Sequence, residues 1–245
     1  YGKVSEIDFT SLYPSIIVRY NLSPETLTHP DRPGFLPQVL GPLLLLRRET
    51  KARKAADPAY AGIDAILKWM LVTCFGYTGY KNAKFGQIEV HEKITWHARE
   101  ILLTTKECAE EMGFDVLHGI IDCLWVQGGP AGALKARIEQ VTGLHTTLDC
   151  YDWIVFLPMP DGYGAYNRYY GRLSTGDLKI RGIMARRGDT PPYVQAMQKA
   201  MLSVMRGAGS RAELASCEDE VRELYREAQS GLAGATPSSL AIHRK

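Results

Sequence analysis

Paired cysteines are missing from this sequence. Its five cysteines, Cys74, Cys108, Cys123, Cys150 and Cys217, stand far apart, with no CxxC pair and no Cys/His spacing suited to zinc, and an odd count does not suggest a disulfide framework. A reducing, cytoplasmic compartment is the expectation. Also missing is any apolar run of membrane-spanning length, so no membrane partner is expected, and no signal-peptide pattern opens the chain. Charge of one sign is not in excess: 29 Lys and Arg against 27 Asp and Glu leave +2. That balance permits a polyanionic partner without arguing for one, because phosphate affinity depends on where basic residues cluster. There is no internal repeat and no low-complexity tract. What is present suffices to fold: 245 residues, 45% hydrophobic, support one large domain or two to three subdomains with cores of their own. The chain opens on Tyr1, inside what reads as a strand, so a fragment of a longer protein is expected.

Apolar periodicity organises the chain. "KVSEIDFTSLYPSII" alternates and then meets Pro14, so a strand ends near Asp8 and Phe9. The proline-rich run from Pro24 to Pro42 reads as loop. A helix follows from about Val39 to Ala56, apolar through "LLLL" and then basic, and a second runs from about Tyr60 to Phe75, making an antiparallel hairpin. Helical spacing returns from His91 to Met112. "FDVLHGIIDCLWVQ" reads as two short strands with Asp122 at or just past the bend. A helix near Ala131 to Thr142, a strand at "YDWIVFLP", a turn-rich stretch from Pro158 to Asp177, a strand at "LKIRGIM" and two terminal helices complete the pass, with Ser210 as an N-cap candidate. The fold class this order suits is α+β, helices on one face of an antiparallel sheet.

Two carboxylates stand out. Taken alone, Asp122 is an ordinary turn residue. If the first strand and the hairpin neighbour each other in one sheet, however, Asp8 and Asp122 converge at one end of it, an arrangement that holds divalent cations against phosphates. Magnesium needs little more, because it takes one or two carboxylates and keeps its remaining ligands as water and substrate oxygens. Arg47, Lys51 and Lys54 share a helix face at i, i+4 and i+7, and Lys68 projects from the partner helix. Such a face suits a triphosphate, although charge runs on helices are more often solvated. His91, His97 and His118 show no ligand spacing and read as structural. Met197, Met201 and Met205 have core spacing.

Three segments, in order, carry a resemblance. "DFTSLYPSII" resembles the first polymerase motif of family B DNA polymerases, DxxSLYPS. "LKWMLVTCFGYTGY" is similar to the second, a lysine followed seven residues later by Tyr-Gly. "HGIIDCLWV" is similar to the third, YGDTDS. "RRETK", "YNRYYG" and "KIRGIMARRGDTPP" further resemble the fingers helix, the KKRY segment and the strand at the palm-thumb junction of that family. The resemblance implies a palm at 1–38, a fingers hairpin at 39–76, palm again at 77–185 and a partial thumb from 186 to 245. It implies template-directed transfer of dNTPs to a primer 3′-OH with two Mg²⁺ ions, for which Mn²⁺ substitutes. Metal ligands would be Asp8, Asp122 and the backbone carbonyl of Phe9. Ser11, Leu12 and Tyr13 would border the triphosphate, with the Tyr13 ring filling the space of a ribose 2′-OH. Arg47, Lys51 and Lys68 would bind the triphosphate, Lys68 also as proton donor to pyrophosphate. Asn167, Arg168 and Tyr169 would touch primer-template DNA. A sliding clamp or other replication and repair factors, and a place at the nucleoid, are further implications.

The chain departs from the pattern at definite positions. Ile120 aligns with the first aspartate of YGDTDS and Cys123 with its serine; Val72 stands where the family has Asn, Phe75 where it has Tyr, and Asn167 where it has Lys. A missing group that acts one step away from the metals would cost about 10- to 100-fold, small beside the roughly 8 to 23 kcal/mol that enzymes supply. The combination, above all "IIDCLWV", resembles the divergent second family B paralogue of archaea and its bacterial relatives, for which a reduced or specialised polymerase is the expectation. No stretch resembles a 3′→5′ exonuclease motif. Two alternatives stay open: a catalytically degenerate homologue that binds DNA or scaffolds an assembly, and, more weakly, a nuclease or other nucleotidyltransferase using the same carboxylates.

Overall fold

A computed structural model describes residues 1–54 and 56–242. In chain order the elements are β1 (Gly2–Phe9), α1 (Leu12–Arg19), α2 (Phe35–Arg53), α3 (Tyr60–Thr78), α4 (Ile88–Glu111), β2 (Asp115–Ile120), β3 (Cys123–Gln127), α5 (Ala131–Thr142), β4 (Thr146–Pro158), β5 (Gly164–Leu173), β6 (Leu178–Arg181), α6 (Pro192–Arg206), α7 (Arg211–Ser216), α8 (Glu218–Gly231) and α9 (Pro237–Leu240). The strands form one antiparallel sheet in the order β2-β3-β1-β4-β5-β6, so the α+β class is met. The chain divides into two compact units, one of Tyr1–Glu6, Trp125–Gly128 and Asp149–Lys245, the other of Ile7–Leu124 and Gly129–Leu148.

In the unit of residues 7–124 and 129–148, α4 is the central helix. Its buried face is Val90, Ile94, Ala98, Ile101, Thr105, Cys108 and Ala109, a three-and-four spacing that repeats the helical period. The helix stops where Gly113 turns left-handed at φ 79°, a conformation that favours glycine. Two helices here depart from the sequence expectation. The sequence assigns no element to residues 12–19, where Pro14 reads only as ending the first strand. Yet Pro14 falls in the first turn, where its missing N–H costs nothing, and burial of Leu12, Ile16 and Ile17 outweighs propensity. Likewise α2 starts at Phe35, four residues before the expected Val39, and runs through Pro42. Its first N–H groups are taken up from outside: Phe35 donates to the Glu25 carboxylate and Leu36 to the Ser23 hydroxyl, while Leu36 and Leu40 are buried. Local capping and apolar burial thereby offset a proline that removes one helical bond.

In the unit of residues 1–6, 125–128 and 149–245, β4 and β5 pair with Ile154 opposite Gly171 and Phe156 opposite Tyr169, and β5 pairs with β6 with Gly171 opposite Lys179. The stretch expected to be turns is therefore largely strand. Its glycine has a packing cause: a Cβ on Gly171 would sit 2.7 Å from the Tyr151 ring and 2.8 Å from the Trp153 carbonyl. The Trp125 ring packs edge-on against Tyr169 at 5.2 Å and Phe156 at 5.8 Å, and Trp153 donates from its indole to the Ala208 carbonyl at 2.8 Å. Ser210 caps α7, accepting from the Glu213 N–H at 3.2 Å.

The same unit buries a charge cluster. Glu6 is 3% exposed, and both its carboxylate oxygens lie 2.8 Å from Lys179 Nζ, which also reaches Asp149 at 2.8 Å. The Tyr151 hydroxyl donates to Glu6. Burial opposes the lysine's charge, but Glu6 and Asp149 overcome it and hold its pKa well above the usual value; burial and then Glu6 push the Tyr151 hydroxyl up as well. Lys179→Met would strand a buried carboxylate and should cost about 3–5 kcal/mol in denaturant unfolding, with part recovered by adding Glu6→Gln. Both folded-state values exceed the ordinary 10.5 of lysine and 10.0 of tyrosine. The folded state thus holds protons that the unfolded state releases, and the cluster's contribution is complete below about pH 10 and fades as pH rises through the shifted values. An unfolding free energy that stays flat from pH 9 to 11.5, or a Lys179→Met variant of wild-type stability, would contradict this.

Candidate active site

The end of β1 meets the β2–β3 turn through one backbone hydrogen bond: Phe9 N–H donates to the Asp122 carbonyl at 2.8 Å. Asp8 and Asp122, both partly exposed, therefore rise from adjacent backbones, as the sequence required for any joint role. Thr10 N–H is tied to the His145 carbonyl at 2.9 Å, and the Thr147 hydroxyl donates to the Asp8 carbonyl at 3.4 Å, so the strand end is fixed from its other side too. The turn itself is strained. Ile121, a β-branched residue, takes φ 50°, a left-handed conformation that such residues rarely adopt outside constrained sites. The neighbouring Ile120 carbonyl accepts from the Cys123 thiol at 3.4 Å.

These two carboxylates open on a recess of about 690 Å³. One wall is residues 8–14, in which Ser11 turns left-handed at φ 56° and opens α1. The opposite wall is α2 and α3: Arg47, Lys51 and Lys54 from the first, Asp64, Lys68, Val72 and Phe75 from the second, with Ile121 and Asp122 closing the floor. Four cationic side chains thus face three carboxylates. Arg47, 9% exposed, donates to the Ser11 hydroxyl and lies 3.6 Å from the Asp64 carboxylate, which pairs with Lys54 at 3.2 Å. Arg47 Nε and one oxygen of Asp64, the two atoms of that 3.6 Å pair, are buried without a hydrogen bond. Lys51 and Lys68 are exposed and line the recess. The Tyr13 ring stacks on Phe75, and its hydroxyl pKa is raised by burial and then by the Asp122 carboxylate beside it.

The sequence-predicted residues fall into two groups. Asp8, Phe9, Ser11, Leu12, Tyr13, Arg47, Lys51, Lys68 and Asp122 come together in this recess. Within it, Phe9 and Leu12 bury their side chains, at 3% exposure each, leaving backbone groups as what they offer. Asn167, Arg168 and Tyr169 lie on β5 in the other unit. Asn167 and Arg168 are exposed there, but the Tyr169 ring is 3% exposed and packed against Trp125. Tyr169 stands opposite Phe156 with its ring turned inward, while Asn167, two residues earlier, is exposed in the irregular stretch before that pair. The sequence reading passed over Asp64, because an acid on a basic helix pair gives no local signal until the pairing of α2 with α3 sets it beside Arg47.

A divalent metal can be tested against these groups. Among the described residues no three His, Cys, Asp or Glu side chains cluster in the manner of a metal cage. Two adjacent carboxylates beside cations suited to phosphate fit instead a Mg²⁺ site that is completed by substrate oxygens and water. No helix among the described residues is long and apolar enough to cross a membrane.

The family model for DNA polymerase family B matches residues 2–33. DNA polymerase 2 of Saccharolobus solfataricus is 32% identical over 92% of the chain, and DNA polymerase 2 of Aeropyrum pernix 27% identical over 92%. The alignments cover 36% and 31% of those proteins, so the chain spans about a third of the length of the curated relatives it matches. The structure of the family B DNA polymerase from the hyperthermophilic archaeon Pyrobaculum calidifontis superposes with a TM-score of 0.66 at 26% identity, covering 99% of this chain and 34% of that one. With a family model lying on the strand and helix that bear Asp8 and Tyr13, and relatives aligned over nine-tenths of its length, the chain belongs to the family B DNA polymerases.

Proposed function

We propose that this chain carries the nucleotidyl-transfer centre of a template-directed DNA polymerase that adds dNTPs to a primer 3′-OH. The observation that carries the reading is the Phe9–Asp122 hydrogen bond, which brings two carboxylates into the lining of a cationic recess. Asp8 and Asp122, with the Phe9 carbonyl, would hold two Mg²⁺ ions, or Mn²⁺ in their place. When bound, such ions offset charge on the attacking and leaving oxygens of an in-line displacement. The remaining work falls to the chain's own side chains. Arg47, oriented by Ser11 and Asp64, offers a planar fork to phosphate oxygens; Lys51 and Lys68 add mobile point charges. Lys68 is the residue proposed to hand a proton to the departing pyrophosphate. Ser11 and the backbone of Leu12 border the triphosphate, and the Tyr13 ring occupies the volume of a ribose 2′-hydroxyl. Asn167 and Arg168 are proposed to contact primer-template DNA.

Ile120 and Val72 favour a second reading, a homologue that binds DNA and has lost its chemistry, because both put apolar side chains where the family pattern is polar. Retention of Asp8, Asp122, Lys51, Lys68 and Tyr13 together argues for the first, with a reduced or specialised rate as the role of those substitutions. Primer extension by the full-length parent protein, with Mg²⁺ and separately with Mn²⁺, decides between them. Extension is expected, and Asp8→Ala and Asp122→Ala should each lower it by at least about a hundredfold, since even groups one step removed from a metal are worth about 10- to 100-fold. Tight primer-template binding with no extension under either metal would leave the second reading. Tyr13→Ala should admit ribonucleotides, seen as a higher kcat/KM for an rNTP relative to the matching dNTP; an unchanged ratio would remove the tyrosine's role as a gate.

A further inference from the structure

Three aromatic rings stand in a column at one wall of the recess. Tyr13 lies on Phe75 with centroids 3.9 Å apart and planes 13° from parallel; Phe75 lies on His91 at 4.5 Å and 17°. Tyr13 and Phe75 line the recess, whereas His91 stands behind them in the first turn of α4. The imidazole is held in turn. Its Nδ1 is 3.1 Å from the hydroxyl oxygen of Thr78, a residue 1% exposed. That hydroxyl gives its own hydrogen to the Phe75 carbonyl at 2.6 Å, so its oxygen is the acceptor and Nδ1 the donor. On another side lies Gly79, where a Cβ would come 3.0 Å from Nδ1 and 3.2 Å from two ring carbons. The end of α3 therefore both leaves room for the imidazole and fixes its rotation.

We infer that His91 is a positioning residue for sugar discrimination: through Phe75 it holds the Tyr13 ring at the depth where a ribose 2′-hydroxyl would collide. The inference rests on the polymerase reading and extends it to a side chain outside the recess. Near-parallel rings gain from close offset contact and lose that gain when one ring retreats. Phe75 is half-buried and carries no hydroxyl to anchor it, so its position depends on the ring behind it. Removing that ring leaves a gap into which Phe75, and then Tyr13, can relax, because packed side chains are kept in place by filled space behind them.

Single-nucleotide insertion by the full-length parent protein tests this, comparing kcat/KM for a dNTP with that for the matching rNTP. His91→Ala should lower the preference for dNTP by about three- to tenfold, tenfold being about 1.4 kcal/mol, mostly through a lower KM for the rNTP. His91→Phe keeps a ring on Phe75 without the bond to Thr78 and should restore most of the preference. Gly79→Ala displaces the imidazole without removing it and should shift the preference in the same direction, which keeps the test open if His91→Ala folds poorly. In a Tyr13→Ala background, His91→Ala should add nothing, since the gate it positions is gone. An unmoved preference in both His91→Ala and Gly79→Ala, or an equal loss with and without Tyr13, would overturn the inference while leaving polymerase activity standing. A wild-type protein that extends no primer would instead overturn the polymerase reading and this inference together.

Discussion

The hydrogen bond from Phe9 N–H to the Asp122 carbonyl is the constraint on which the rest of the candidate site depends. Neither carboxylate alone has much meaning. A strand-end aspartate and a turn aspartate are common and usually solvated, and what changes their chemistry is the short distance between the two backbones that carry them. Backbone pairing is a suitable device for this purpose, because it fixes both main chains at once. The left-handed Ile121 is part of the same constraint. A turn tight enough to offer the Asp122 carbonyl to β1 forces a β-branched residue into a costly conformation, and the neighbouring elements of the unit must outweigh that cost.

Around this pair the recess is electrostatically graded. Arg47 is held by Ser11 and Asp64, so its charge is oriented in advance; Lys51 and Lys68 are exposed. Such division of labour follows from the two side chains. A guanidinium held by partners loses little further freedom on binding a phosphate, while a lysine on a flexible stem keeps its entropy until it is needed. Asp64 moderates the result. By partly neutralising Arg47 and Lys54 it leaves the recess less cationic than its basic residues alone would make it.

The unit of residues 1–6, 125–128 and 149–245 rests on a different interaction, a buried Glu6–Lys179 pair with Asp149 and Tyr151 around it. This cluster was invisible in the sequence, where Glu6 reads as the polar position of an alternating strand and Lys179 as another. The same holds for Tyr169. Its segment looks like an exposed aromatic loop until pairing sets Tyr169 opposite Phe156 and turns its ring inward, while Asn167 and Arg168, in the irregular stretch between that pair and the one of Gly164 with Pro158, stay exposed.

Much was nevertheless legible from residue order alone. Apolar spacing located α3, α4 and α5 to within a few residues, and Pro, Gly and β-branched content bounded the hairpin that carries Asp122, because helical period and turn chemistry are local properties of the chain. Three ordered motifs named the carboxylates, the basic helix face and Tyr13. Residue order leaves α1 unassigned and begins α2 four residues late, because prolines give a local loop signal and burial of Leu12, Ile16, Leu36 and Leu40 prevails. What the sequence by itself determined is thus the set of chemical groups and the period of each element. What tertiary structure alone decided is which groups became neighbours: Asp8 beside Asp122, Asp64 beside Arg47, His91 behind Phe75. The reason is that such pairs join residues far apart in the chain, and their proximity is paid for by the burial of whole elements, a sum over many contacts that no short stretch of sequence contains.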